Sequence, residues 1–372
     1  MITPRVSDIL GITNKIAPSE LAESWDNVGL QLGDPLCQVC RLMVALDPGP
    51  PAVEAAVEAR CQLLITHHPF IFTPLKKITA KDETGRLAIL ALKNDLSIIS
   101  LHTNYDIAEG GVNDLLAQRL GVQGTEPLRV TGACEYLKMV LFVPHGFEER
   151  LLDALSSFMA PLGNYRDCSF QGDGVGRFTA LNGARPFVGE LDVRHQEKES
   201  RLEFLLQKER LNAALTALKG AHPYEEPAYD LYPVLNRGPL HGLGRIGALP
   251  EATTAGEFAR LAREQLQAGG VRLVGEPGRR VKKVALCGGS GASLIHDAAR
   301  KGADLLVTGD VKYHEAREAE ALGIALLDAG HFATELPMVE GLAAALRGEL
   351  EAKKYQVEVL AYQGEREPFS FW

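Results

Sequence analysis

Leu42-Met-Val-Ala-Leu46, the Ala/Glu/Val-rich stretch from Pro51 to Arg60, and Gln62-Leu-Leu-Ile-Thr66 decide the fold class. The two short runs place apolar residues on both strand faces, as strands covered from both sides do. The stretch between them has helical spacing. Working outward, a helix is predicted over Val6–Ile16, followed by a loop, Glu23 to Asp34. Beyond Thr66 come a helix (Leu87–Lys93), a strand (Ser97–Leu101) and, after Gly110-Gly111, a helix (Val112–Leu120). The last third repeats the pattern. Strands are predicted at Lys283–Cys287, Asp304–Thr308, Ile324–Leu327 and Gln356–Ala361, with helices at Ser293–Lys301, His314–Leu322 and Glu335–Lys354. This alternation predicts an α/β fold with a mostly parallel open sheet, flanking helices, and functional groups beyond the carboxyl ends of the strands.

The middle departs from that pattern. A strand (Tyr136–Val143), a helix (Glu148–Ala160), two strands around Gly172-Asp-Gly174, a strand (Leu202–Leu206), a helix (Glu209–Leu218) and a strand (Ala228–Val234) are expected. Their β-α-β-β-α-β order is that of a ferredoxin-like domain. The chain therefore divides into a discontinuous core, residues 1–130 and 236–372, interrupted by an α+β insert over residues 131–235.

Composition narrows the function classes. The chain has 372 residues, 46% hydrophobic and 23% charged, with 39 Lys and Arg against 48 Asp and Glu for a net charge of -9. No apolar run approaches the roughly 18 residues that span a bilayer. Met1-Ile-Thr-Pro-Arg5 has no basic-then-apolar signal pattern, so a cytoplasmic location is expected. The acidic balance argues against direct nucleic-acid binding, whose footprint is a basic face. Cys37-Gln-Val-Cys40 has the spacing of a zinc half-site or redox pair, but no second pair completes it and it precedes a strand. The six cysteines therefore read as ordinary thiols.

Three segments place metal-type ligands just past a predicted strand: Ile65-Thr-His67-His68-Pro-Phe70, His102-Thr-Asn-Tyr-Asp106 and Asp328-Ala-Gly-His331-Phe-Ala-Thr-Glu335. Consecutive strand residues point to opposite faces, so His67 and His68 serve one site only where the strand ends, and Pro69 favours a turn there. A helix starting at His331 would set that residue and Glu335 on one face. Taken singly, these are also compatible with hydrogen-bonded structural histidines or a helix-surface pair. Together, His67, His68, Asp106, His331 and Glu335 give three imidazoles and two carboxylates. That exceeds one open zinc site and suits two divalent ions, with Zn, Fe, Mn and Co all compatible.

The same motifs, with Trp25-Asp-Asn-Val-Gly-Leu-Gln-Leu-Gly-Asp34, Ala303 to Ala316 and a middle segment ending in His222-Pro-Tyr-Glu-Glu-Pro-Ala-Tyr-Asp230, resemble the Nif-three-like (NGG-interacting factor three-like) family. Its members are labelled GTP cyclohydrolase 1 type 2 homologues. The resemblance covers the whole chain. It implies a dinuclear metal centre whose ligands match His67, His68, Asp106, His331 and Glu335. It also implies a toroidal homohexamer with sites facing an internal cavity, and an insert resembling the PII and CutA folds.

Neighbouring residues carry two readings each. Gly288-Gly-Ser-Gly291 is either a phosphate-cradling turn or a plain tight turn. Lys312 is an anion contact or a solvated charge, and His314 a proton carrier. His102 is either a partner of Asp106 or a pocket acid/base. Trp25 and Asp26 line a cavity, although a core-packing Trp25 is favoured. His222 to Pro227 reads as a structured turn, and Gly172 to Arg177 as a hairpin turn. The expected activity is a metal-dependent hydrolase of a nucleotide or a related heterocyclic or phosphorylated compound, with His102 or His314 moving protons. The rival expectation is a non-catalytic metal-storage, metal-delivery or regulatory protein.

Overall fold

The computed structural model describes residues 2–371 and separates into two compact units. The first takes the chain up to Thr131 and again from His241; the second is Gly132–Leu240.

The first unit opens with α1 (Val6–Ile16), β1 (Gly29–Leu32), β2 (Arg41–Ala45), α2 (Pro50–Glu58), β3 (Leu63–Thr66), α3 (Glu83–Lys93), β4 (Ser97–Ser100), α4 (Thr103–Ile107) and α5 (Val112–Arg119). Strands β2, β3 and β4 are parallel neighbours, and β1 is antiparallel to β4 at the edge. The apolar runs divide by parity. Leu42, Val44, Leu63, Ile65 and Ile99 enter one core with α1, while Met43, Ala45, Leu64 and Ile98 enter another with α2 and α3. Burial of a side chain such as Ile65 contributes about 1.5–3 kcal/mol. Strand β1 lies in the segment expected to be loop.

The second unit runs β5 (Gln123–Pro144), α6 (Glu148–Leu155), β6 (Ser169–Thr179), β7 (Arg194–Gln207), α7 (Leu211–Ala221) and β8 (Tyr229–Thr254), with β5 and β8 also extending into the first unit. Its strands are ordered β6-β7-β5-β8. Met139, Leu141, Leu202 and Phe204 form its core with Leu151 and Leu155 of α6 and Leu218 of α7. The hairpin expected at Gly172–Arg177 is not there. Those residues lie within β6, with Gly174 paired to Glu199 of β7 and Gly176 to Glu197. A Cβ on Gly176 would stand 2.0 Å from Glu199 Oε2, so this glycine is a close approach rather than a turn. His222 follows α7, its Nδ1 accepting from the Tyr224 amide at 3.0 Å, as a structured turn requires.

The first unit resumes with α8 (Ala255–Gln265), β9 (Arg272–Val274), β10 (Arg280–Leu286), α9 (Ile295–Arg300), β11 (Leu305–Thr308), α10 (Tyr313–Leu322), β12 (Ala325–Asp328), α11 (His331–Glu335), α12 (Pro337–Ala352) and β13 (Glu358–Ala361). Here β10, β11 and β12 are parallel, with β8 and β9 antiparallel on either side. Strand β13 joins the other sheet beside β2. The core thus has two mixed sheets where one mostly parallel sheet was expected. The helix expected over Glu335–Lys354 is interrupted before Pro337, which has no N–H to continue the hydrogen-bond ladder.

Candidate metal centre

Each anticipated ligand sits just past a strand. His67 and His68 follow β3, and the chain turns there: the Thr66 hydroxyl donates to the His68 carbonyl at 2.8 Å, and the His68 amide donates to Leu46 O at 3.0 Å. That turn brings two consecutive imidazoles to one place. His102 precedes α4, which carries Asp106, and Gly330 precedes α11, whose first and last residues are His331 and Glu335. His67 and His68 come from one sheet and His331 and Glu335 from the other.

Four imidazoles are held in the same way. Nδ1 of His67 meets Leu101 O at 2.8 Å, that of His68 meets Asp47 Oδ1 at 2.7 Å, that of His102 meets Asp26 Oδ1 at 2.9 Å, and that of His331 meets Asp310 Oδ2 at 2.7 Å. An oxygen acceptor at Nδ1 keeps the proton there and leaves Nε2 as the free lone pair, which is how metal-binding histidines are oriented. The Nε2 atoms converge. Glu335 Oε2 lies 3.2 Å from His68 Nε2 and 3.1 Å from His331 Nε2, and those two nitrogens are 3.4 Å apart. His67 Nε2 is 3.7 Å from both Asp106 Oδ1 and Glu335 Oε1.

Two donor groups result, His67 with His68 and His102, and His68 with His331 and Glu335. In each, the ligand atoms lie within 4.8 Å of one another and could hold a metal ion. Four buried side-chain polar atoms lack a hydrogen-bond partner among the described residues. Three of them, His67 Nε2, Asp106 Oδ1 and Glu335 Oε2, are here. Buried polar atoms are ordinarily paired, so this concentration fits a cation between them.

The electrostatics agree. Burial resists ionisation of Glu335, but the adjacent His67, with His331 and His68 close by, holds it well below the usual carboxylate range. Burial pushes Asp106 up, and the nearby Glu335 adds to it. His68, although burial opposes its charge, is raised to about 10 by Asp47 and Glu335; His331 is raised to about 9 by Glu335 first and Asp310 second. Asp26 is brought down to about 2: burial opposes this, and hydrogen bonds from His102 and Thr103 prevail.

Other expectations are revised. His314 is exposed on α10 with its ring against Tyr313. Among the described residues it makes no hydrogen bond or ion pair with the cluster. Lys312 is exposed as well. The phosphate-cradle reading of Gly288–Gly291 fails because its amides are used: Gly288 donates to Asn113 Oδ1, Gly289 to Thr334 Oγ1 and Gly291 to Thr308 Oγ1. Trp25 is 59% exposed rather than packed in a core. Asp47 and Asp310 went unnoticed in the sequence, although each follows a strand, β2 and β11, as the ligand motifs do. Arg245, buried in β8, was also missed. It forks onto Asp114 at 2.7 and 3.0 Å and donates to Ile107 O and Ala108 O, fixing the α4–α5 junction beside Asp106.

The sequence profile of Duf34/NIF3 (NGG1p interacting factor 3) matches residues 4–368. The chain belongs to the DUF34/NIF3 family. Among its DUF34/NIF3 relatives, the "GTP cyclohydrolase 1 type 2 homolog" of Bacillus subtilis is 39% identical over 98% of this chain and 97% of its own. A protein of the same description from Halalkalibacterium halodurans is 37% identical, over 98% of each. Among solved structures, a Bacillus cereus protein related to NIF3 superposes with a TM-score of 0.91 at 38% identity, covering 100% of both chains. A Staphylococcus aureus protein, SA1388, gives 0.74 at 29%, again over 100% of both.

Proposed function

We propose that this DUF34/NIF3 protein is a dinuclear metal-dependent hydrolase of a nucleotide or a related heterocyclic or phosphorylated compound. The observation that carries the reading is the convergence of the Nδ1-anchored imidazoles of His67, His68 and His331 on the buried carboxylates of Asp106 and Glu335. His67, His68, Asp106, His331 and Glu335 would hold two divalent ions, of which Zn, Fe, Mn and Co suit imidazole and carboxylate donors. When bound, such ions supply Lewis acidity and lower the pKa of a coordinated water toward neutrality. The chain's own residues do the rest. Asp47, Asp310 and Leu101 O orient the imidazoles. Asp26 keeps a proton on His102 Nδ1, so His102 Nε2 is free to accept a proton from the reacting group and return it. The name shared by the relatives favours a GTP cyclohydrolase-like reaction within this class.

The second unit supports a rival reading, a non-catalytic metal-storage, metal-delivery or regulatory protein. Its β-α-β-β-α-β order and β6-β7-β5-β8 strand order favour a ferredoxin-like insert of the PII/CutA kind. A cytoplasmic toroidal homohexamer completes the proposal, and its solution mass is the check.

One comparison separates the two functions. Metal content and turnover on GTP and a panel of phosphodiesters are measured for wild type and Glu335→Ala. Under the hydrolase reading, wild type holds about two ions per chain and turns over a substrate, and the variant loses at least 100-fold in rate. Stoichiometric metal without turnover on any compound would favour storage or regulation. Equal metal in wild type and in His67→Ala with His331→Ala would overturn the ligand assignment.

A further inference from the structure

We infer that Trp25 and Phe72 form a stacking platform for a planar heterocycle of the purine or pyrimidine class, at the edge of the metal centre. Trp25 is 59% exposed and Phe72 58%, yet neither ring is loosely placed. Their centroids are 6.1 Å apart, and the indole is also 6.0 Å from the His102 ring. The backbone beneath the pair is tied together: Asn27 Nδ2 donates to Ile71 O at 2.6 Å, and the Ile71 amide donates to Gln31 Oε1 at 2.6 Å. Trp25 also adjoins Asp26, whose carboxylate holds His102.

A large aromatic side chain usually earns its place by burying its surface. Here two are fixed in the open, and neither neighbour of the indole lies parallel to it; the interplanar angles are 62° to Phe72 and 76° to His102. Among the described residues, no aromatic ring stacks parallel on the indole. A base stacked on Trp25 would present its edge toward His102, whose ring is 5.3 Å from that of His67 and 5.8 Å from that of His68. The inference depends on the hydrolase reading for what becomes of the ligand, but stacking itself needs no metal.

The chain has two tryptophans, so Trp372→Phe leaves Trp25 as the only reporter. In that full-length protein, guanosine and uridine are expected to quench the fluorescence saturably, and ribose 5-phosphate, which has no aromatic ring, is not. Calorimetry on otherwise unaltered protein should show guanosine affinity falling roughly tenfold in Trp25→Ala and less than threefold in Trp25→Phe. Metal content should be the same in all three. Failure of both nucleosides to quench, or unchanged guanosine affinity in Trp25→Ala, would overturn the platform. An emission maximum that shifts with protein concentration, in step with oligomer mass, would overturn it too and assign the face to a contact between copies. Quenching in protein that retains no metal would leave the platform standing and remove the hydrolase reading.

Discussion

At the scale of single residues, the centre depends as much on what holds the imidazoles as on the imidazoles themselves. Asp47 and Asp310 each take one Nδ1 proton at 2.7 Å, and Asp310 does so with a backbone φ of 56°, a left-handed conformation that Asp tolerates better than most residues. Asp47→Asn and Asp310→Asn preserve shape but exchange a charged acceptor for a neutral amide. Each should weaken metal binding about 10- to 100-fold in a chelator competition, with the fold intact by circular dichroism. Unchanged affinity would make these carboxylates incidental. The residues proposed as ligands stand out in the sequence because His67, His68, Asp106 and His331 lie within about five residues of a predicted strand end and Glu335 is spaced to share a helix face with His331. Asp47 and Asp310 were not, because one carboxylate after a strand is too common to single out without its partner 21 residues away in each case. Trp25 was misjudged for a different reason: nothing in local sequence tells an indole braced at the surface from one in a core.

Among the elements, periodicity served well wherever burial was two-sided. The expected helix Val6–Ile16 has those bounds in the structure, and the strands at 42–46, 62–66 and 304–308 fall within a residue or so of β2, β3 and β11. Helix α8 was overlooked although Thr254 and Glu257 form a reciprocal capping box, a signature readable at the sequence level. The Gly288–Gly291 turn shows the opposite failure, where a familiar pattern suggested an anion site. Its glycines serve side-chain room instead. Gly289 has φ of 61°, and a Cβ there would lie 2.1 Å from Glu335 Oε1. Gly289→Ala should cost about 1–3 kcal/mol in urea unfolding. It should also lower metal content by displacing Glu335, whereas Gly278→Ala, with open space around it, should keep its metal. Retention of full metal in Gly289→Ala would show that the carboxylate has other room.

For the whole molecule, the α/β class was readable, but the split of the core into two mixed sheets was not. Strand order depends on contacts between segments far apart in the chain. Because the two halves of the ligand set come from different sheets, bound metal should act as a tie between them. A chelator should therefore lower stability by about 2.7 kcal/mol relative to metal at 100 times its Kd. The effect should depend on pH. In metal-free protein His68 and His331 are raised from 6.5 to about 10 and about 9. Their contribution is complete below pH 6.5 and lost as pH rises through those values. Calorimetry should thus find chelated protein melting lower at pH 9.5 than at pH 6.5. Loaded protein should show a smaller drop, since ligation has already displaced those protons. Parallel slopes with and without chelator would contradict this.

His68 and His331 touch across 263 positions of sequence. At a synthesis rate of about 5–20 residues per second, roughly 13 to 50 seconds separate their emergence from the ribosome. For most of that interval the nascent chain carries His67, His68, His102 and Asp106 without their counterparts, an open half-set of metal-type donors. Under the proposed metal-centre reading, selectivity would then be imposed late, when α11 closes on β3, and a shift in the free metal pool during translation would change what the finished protein holds.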